Sequence, residues 1–105
     1  DKYLNIRYLN YIEAFGGFGP GTEYIVPQMY TIVREGCRGA GLTEDEVLFF
    51  SAHIELDVEH AEGIKDSLIP FVDSEDHQEL MRYGAMDFLD ARCVLWDGLE
   101  RASKF

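Results

Sequence analysis

Two histidines and an aspartate near the middle of the chain have the spacing of metal ligands: His53, Asp57 and His60. In a helix, which turns about 100° per residue, these positions lie within about 60° of one another and share one stripe. Neutral imidazoles together with a carboxylate are ligands for iron, manganese or zinc. The pattern H-x3-D-x2-H therefore predicts a non-haem transition-metal site on one face of a helix.

A simpler interpretation of the motif needs no metal: the histidines are core or surface residues, and Asp57 pairs with one of them. The residues around the motif help to separate this interpretation from a metal site. Phe49 and Phe50 lie one turn before the motif and Ile64 one turn after it, so its stripe faces inward. The other acids of the segment fall on the opposite side: Glu55, Glu59, Glu62 and Asp66. Because burying an unpaired carboxylate is costly, an inward Asp57 between two imidazoles favours a metal.

One helix rarely completes the coordination of a metal, so further ligands are expected from other segments. Glu23 is the stronger candidate, because it opens a predicted helix beside glycines that permit close packing; the alternative is an acid that only complements the helix dipole. Glu13 lies on the polar side of its helix, which favours a solvated role, and His77 is expected to be exposed. Tyr30 and Arg34 continue the face of Glu23 and are candidate substrate-binding residues, or else a core tyrosine and a surface charge.

Four helices are predicted to position these residues. The predicted bounds are residues 3–15, about 22–38, 43 to 68 or 69, and 74 or 75 to 102. Apolar side chains recur at helical spacing in these segments, and none alternates as a half-buried strand does. We therefore predict an all-α fold, most simply an antiparallel helical bundle of about four helices with short loops.

Helix boundaries are predicted from glycine, proline and capping residues. The glycine- and proline-rich stretch 16–21 should break or strongly kink the first helix, and Thr22 is a candidate cap for the second. Thr43 and Glu46 form a predicted capping box at the start of the third helix.

The composition excludes several classes of function. The net charge is -11, from 20 acidic and 9 basic residues, so nucleic acid and anionic membrane surfaces would be repelled. No apolar run approaches the ~20 residues that a membrane helix needs. Only two cysteines occur, Cys37 and Cys93, and with no secretory signal they favour reduced, buried thiols in a cytoplasmic protein over a disulfide.

The motif and its flanks resemble a known family. The resemblance lies in residues 49–53 (Phe-Phe-Ser-Ala-His) with Asp57 and His60, and in the earlier residues 21–27 (Gly-Thr-Glu-Tyr-Ile-Val-Pro). In these residues the chain resembles the second half of the haem-oxygenase-like diiron oxidases, which are also described as iron-containing redox enzymes. In that family a glutamate shortly before a proline is followed by a helix with F-x2-H-x3-D-x2-H. Residues 92–98 (Arg-Cys-Val-Leu-Trp-Asp-Gly) are similar to an uncharacterised branch of the superfamily.

The resemblance implies a helical bundle that binds a pair of iron ions and activates O2 to oxidise a small organic substrate, often one that bears a carboxylate. The iron ligands that it implies here are Glu23, His53, Asp57 and His60. A further glutamate and histidine would precede Asp1. Residues 1–105 are therefore expected to be a single helical domain that forms the C-terminal part of a longer haem-oxygenase-like domain, or a truncated relative. The expected protein partner is a second copy or the missing N-terminal half.

Two other functions stay open. The chain could be a metal-free enzyme on the same scaffold, of the thiaminase or quinone-biosynthesis type, in which His53 and His60 would bind substrate. It could also be a non-catalytic helical fragment that pairs with another chain. That third function predicts a large exposed apolar patch.

Overall fold

The computed structural model describes residues 10–104, which are almost entirely helical. The elements are α1 (Tyr11–Phe18), a π-helical turn (Gly19–Glu23), α2 (Val26–Gly39), α3 (Leu48–Leu68), a 3-10 turn (Ile69–Phe71) and α4 (Glu75–Ser103). No strand occurs in this part of the chain, so the predicted all-α class is confirmed. The first part of the predicted first helix, residues 3–9, lies outside the described residues.

The helices pack as two pairs joined by the π-helical turn. α1 packs against α4, α2 packs against α3, and the π-helical turn contacts both α3 and α4. The 29 residues of α4 span about 43 Å at 1.5 Å per residue, which accounts for most of the 48 Å length of the molecule. Its shortest dimension, 19 Å, equals about two helix diameters, so the bundle is flat.

Glycines bring the main chains of α1 and α4 into contact. A Cβ atom at Gly16 would collide with the main chain of Met81, and one at Gly84 would collide with the carbonyl of Glu13. The glycine-rich stretch therefore permits close helix packing. It does not end the helical path, because α1 passes directly into the π-helical turn, where the Tyr24 N–H donates to the Gly19 carbonyl at 3.1 Å.

The second helix begins later than predicted, at Val26. Thr22 does not cap it, because its Oγ1 donates to the Gly17 carbonyl at 2.9 Å inside the preceding turn. Ile25 occupies the cap position without a side-chain hydrogen bond, and Pro27 follows in the first turn, where a missing N–H is tolerated. The prediction of a Thr22 cap was wrong because the helical path already included this residue.

The predicted capping box is present. The Thr43 N–H donates to Glu46 Oε2 at 2.8 Å, and the Glu46 N–H donates to Thr43 Oγ1 at 3.4 Å. This box closes a turn at residues 44–47, and regular α-helix begins at Leu48, later than predicted. The predicted end of α3 at Leu68 is confirmed, and α4 ends at Ser103, within one residue of the predicted end.

The buried core is small. Its buried apolar residues are Ile12, Val26, Val47, Leu68 and Met81. Large apolar side chains on every helix stay exposed, among them Phe18, Ile32, Leu56, Tyr83 and Val94. This part of the bundle therefore presents wide apolar surface to its surroundings.

Two further predictions concern membrane-spanning helices and the cysteine thiols. In residues 10–104, no helix combines the length and the apolar character needed to cross a bilayer. Both cysteines are free, as predicted, but Cys93 is exposed and Cys37 is partly exposed, so the prediction that they are buried was wrong. Cys93 belongs to α4, whose outer face has no neighbouring helix among the described residues to cover it.

Candidate metal centre

Asp57 is the buried charged side chain in the described part of the chain, with 4% of its surface exposed. Its neighbours on α3, Glu55 and Glu59, are exposed. The helical periodicity therefore predicted correctly that one acid of this segment faces inward. A buried carboxylate needs a proton, a hydrogen-bond donor or a cation, so its partners decide what the site can do.

Three of the predicted ligands come together in the structure: Glu23, Asp57 and His60. One ligand atom from each lies within 4.8 Å of the other two. His60 Nδ1 is 2.9 Å from Asp57 Oδ1 and 3.5 Å from Glu23 Oε2. Asp57 and His60 lie one turn apart on α3, whereas Glu23 reaches them from the end of the π-helical turn.

The π-helical turn explains how Glu23 reaches α3. Gly19 lies so close to α3 that an added Cβ would come within 2.5 Å of Ile64 Cγ2, and Gly21 lies against Ala85 of α4. The turn therefore fits between the two helices because it lacks side chains at these positions. Its wider winding also changes the direction of Glu23, and π-helical turns are frequent at functional sites. Glu23 was predicted to open a helix, but it ends this turn.

Glu23 lies in an environment that disfavours its charge. The side chain of Glu23 is 17% exposed, and its Oε2 is buried without a hydrogen-bond partner among the described residues. Burial raises the pKa of Glu23, the negative charge of Asp57 raises it further, and His60 opposes both effects. A cation between these groups would satisfy the unpaired oxygen and offset the repulsion, so two carboxylates and an imidazole fit iron, manganese or zinc.

His53, the fourth predicted ligand, lies one turn before Asp57 on α3 and outside the group of three. Its Nδ1 is 2.7 Å from the Phe49 carbonyl, and because a carbonyl only accepts, Nδ1 must carry the proton. This tautomer leaves Nε2 with a free lone pair, as in metal-bound histidines whose other nitrogen is held by a carbonyl. The ring also contacts Phe49 at 4.3 Å and Tyr30 at 5.8 Å between centroids. Ligation by His53 stays a prediction.

The two predicted substrate-binding residues lie on α2 where it packs against α3. The Tyr30 ring contacts Phe50 edge-on at 5.2 Å, in addition to His53. Arg34 donates from Nη1 to Ser51 Oγ at 3.3 Å, and its Nε lies 3.5 Å from a carboxylate oxygen of Glu35. Arg34 therefore donates one hydrogen bond within the bundle, whereas its buried Nε has no hydrogen-bond partner among the described residues. Its role in substrate binding, like that of Tyr30, stays a prediction.

Two other titratable residues lie away from the group of three. His77 was expected to be exposed, but it is half-buried, with its ring 6.2 Å from that of Phe71 and its Nδ1 buried without a partner. The apolar 3-10 turn that follows α3 covers it, which no local pattern indicated. Glu13 is partly buried and has its carbonyl against Gly84. The importance of Gly84 was missed, although a glycine inside a long helical pattern was a usable signal.

Comparison with known proteins agrees with the donor chemistry. Residues 2–93 match the model of the family described as iron-containing redox enzymes. The chain belongs to this family. The resemblance inferred from the motif and its flanks is thus confirmed, and it extends over most of the sequence.

One curated relative of this chain is 4-chloro-allylglycine synthase from Streptantibioticus cattleyicolor. The two proteins are 27% identical over 71 residues, which make up 68% of this chain and 28% of the relative. The matched part thus covers less than a third of that protein's length. No solved structure matches the chain.

Proposed function

We propose that this chain contributes half of a non-haem diiron centre to an O2-dependent oxidase or oxygenase that acts on a small organic substrate. The observation that carries the proposal is the buried carboxylate of Asp57 with the partly buried carboxylate of Glu23 beside it. Within residues 10–104 His60 is the basic side chain that approaches both. The family match supports iron as the metal.

Each ligand residue has a distinct task in this proposal. Glu23 and Asp57 provide oxygen donors and the negative charge that offsets that of the metal. His60 would provide a nitrogen donor beside these oxygens, since its ring already lies 2.9 Å from Asp57 Oδ1. Bound iron supplies the chemistry, which is the activation of O2 for oxidation of an organic substrate.

His53 and Tyr30 hold the α3 side of the site in shape. The Phe49 carbonyl fixes the tautomer of His53, and the rings of Phe49 and Tyr30 restrict its rotation. These residues thus prepare His53 to act as a ligand through Nε2.

The ligands found here make up part of a two-metal centre, so the proposal includes a second source of ligands. We propose that this source is the N-terminal part of a longer domain, or a second copy of the chain. The wide exposed apolar surface of the described helices supports such an association. The match to the curated relative covers only 28% of that protein's length, which also supports the proposal that further ligands come from outside these residues.

A carboxylate-bearing substrate is the most specific part of the proposal. The name of the curated relative, 4-chloro-allylglycine synthase, describes a product that is a small amino acid and so carries a carboxylate. We extend only this general feature to the present protein. A metal-free enzyme of the thiaminase or quinone-biosynthesis type is the main alternative, and metal analysis separates the two.

The test is to load the complete protein with ferrous ion without oxygen, measure the bound iron, and then follow O2 consumption. We expect bound iron and O2 uptake, with both strongly reduced in Asp57→Ala and His53→Ala. Glu59→Ala is a matched control, because Glu59 is an exposed acid on the same helix. Failure to bind iron, or iron content unchanged in both ligand variants, would overturn the proposal.

A further inference from the structure

A pocket lies between α2 and α4, next to the aromatic residues that contact His53. It has a volume of about 250 Å³ and is lined by Met29, Tyr30, Arg92, Leu95 and Trp96. Tyr30 is common to both regions, because its ring also contacts that of His53. The pocket combines aromatic and apolar walls with one cationic side chain.

Arg92 has no strong acceptor in this pocket. It is partly buried, and its polar contact is from Nη1 to the Met29 thioether sulfur at 3.9 Å, where sulfur is a weak acceptor. Within residues 10–104, the ion pairs of the arginines involve Arg34, Arg38 and Arg82, so Arg92, like Arg101, has no carboxylate partner.

The sequence around Arg92 explains why no acid of its own helix reaches it. The residues three and four positions away on α4 are all apolar: Phe88, Leu89, Leu95 and Trp96. Side chains at these spacings are the neighbours that share a helix face. Arg38 provides a contrast, because it pairs with Glu35 at 2.6 Å and Glu44 at 2.7 Å on an exposed surface. The guanidinium of Arg92 is thus held in an apolar setting with its donors available.

We propose that this pocket binds the carboxylate of a small aromatic acid, with Arg92 as the anchor. A guanidinium offers parallel N–H donors that match a carboxylate, and aromatic and aliphatic walls suit the ring of such a ligand. The inference rests on the proposed function, because it assigns the group that positions a carboxylate-bearing substrate. It also moves this role from Arg34, whose Nη1 already donates to Ser51 Oγ, to Arg92, whose polar contact is a weak one to sulfur.

The test uses metal-free protein, so that it does not depend on iron. Phenylacetate and its neutral analogue phenylacetamide are titrated by calorimetry. We expect phenylacetate to bind at least about tenfold more tightly than phenylacetamide, because hydrogen bonds to charged groups are stronger than those between neutral groups. Trp96, the single tryptophan of this sequence, should change its fluorescence on binding, and this change should be absent from Trp96→Phe.

Arg92→Gln should lower phenylacetate affinity by about tenfold or more and remove the preference for the acid over the amide. Arg82→Gln is the matched control, because Arg82 is an exposed arginine of α4 that pairs with Glu79. The affinity of this variant for phenylacetate should not change. Equal binding of acid and amide to the unmodified protein would overturn the inference, whether or not Arg92→Gln folds. Absence of phenylacetate binding would do the same, since another segment would then fill the pocket. Neither result bears on iron binding, so failure here and failure of the proposed function can be told apart.

Discussion

The two helix pairs of this bundle are held together by different kinds of contact. In the pair formed by α1 and α4, main chains meet directly at Gly16 and Gly84. In the pair formed by α2 and α3, the contacts are made by side chains: the Tyr30 ring against Phe50, and Arg34 on Ser51. The first interface has no room for added atoms, whereas the second consists of side chains that can change rotamer.

The candidate metal centre lies where these two pairs meet. Glu23 is carried by the turn that continues α1, while Asp57 and His60 belong to α3. The distance between the two carboxylates therefore depends on how one helix pair sits against the other. Changes in the first pair should alter the fold as a whole, and changes in the second should alter the site more than the fold.

The largest effect is expected from Gly84→Val. Its side chain would collide with the Glu13 carbonyl of α1, and because main chain cannot rotate away, the helices must separate. We expect the free energy of unfolding to fall by about 3 kcal/mol, measured by urea denaturation.

Gly63→Ala on α3 is the control for this prediction. No atom lies within 4 Å of a Cβ added at Gly63, so alanine should raise the unfolding free energy by up to about 1 kcal/mol through helix propensity. Similar losses in both variants would show that the α1–α4 contact has no special importance.

A second large effect is expected on metal affinity from Asp57→Asn. The amide keeps the size of the side chain but removes the negative charge that faces Glu23 and His60. We expect Mn²⁺, a redox-stable probe, to bind on the order of 100-fold more weakly, as measured by titration with electron paramagnetic resonance detection. Glu59→Gln should leave the affinity unchanged, and an equal loss in that variant would point to general charge rather than to a site.

The pH dependence of the metal-free protein tests the electrostatics of Glu23. Burial raises its pKa above 4.5, so the folded state holds this proton more tightly than the unfolded state does. The resulting stabilisation is present below the unfolded pKa and is lost as the pH rises through the folded pKa. Glu23→Gln stays neutral, so it should be the more stable protein at neutral pH and lose this advantage in acid. Urea unfolding with a chelator present measures both, and a difference independent of pH would contradict the assignment.

The smallest effect is expected at the capping box. Thr43→Ala removes the acceptor for the Glu46 N–H and should lower the unfolding free energy by about 1 kcal/mol. The Thr43 N–H, which the variant keeps, and the Thr43 hydroxyl, which it removes, both lower the pKa of Glu46. The part of the loss that comes from the hydroxyl bond to the carboxylate should therefore be seen above pH 4.5 and disappear as the pH falls through the lower folded pKa. Iron or manganese affinity should not change, and a large change would show that the start of α3 is coupled to the site.

Much of the fold could be predicted because its signals are local. The apolar spacing of α3 placed Asp57 inward and Glu59 outward, and both placements are observed. The Thr43–Glu46 pair marked the capping box, since its hydrogen bonds span three residues. The family could also be inferred, because its motif lies in short segments of known spacing.

Other features depended on contacts between segments far apart in the sequence. Thr22 has the composition of a helix cap, but packing between α3 and α4 carries the helical path through it as a π-helical turn. The half-burial of His77 likewise depends on where the 3-10 turn lies. Propensity alone cannot anticipate such effects, because tertiary packing contributes more than the preferences of single residues.

The sequence by itself determined which side chains could serve this protein as ligands and which face of α3 would carry them, since helical periodicity orders residues along one element. Tertiary structure alone decided that Glu23 would reach Asp57 and His60, and that Arg92 would lie in a pocket without a carboxylate. The physical reason is that both arrangements join elements whose relative positions depend on long-range packing. Glycines that let the helices touch bring Glu23 to α3, and apolar neighbours on α2 and α4 surround Arg92.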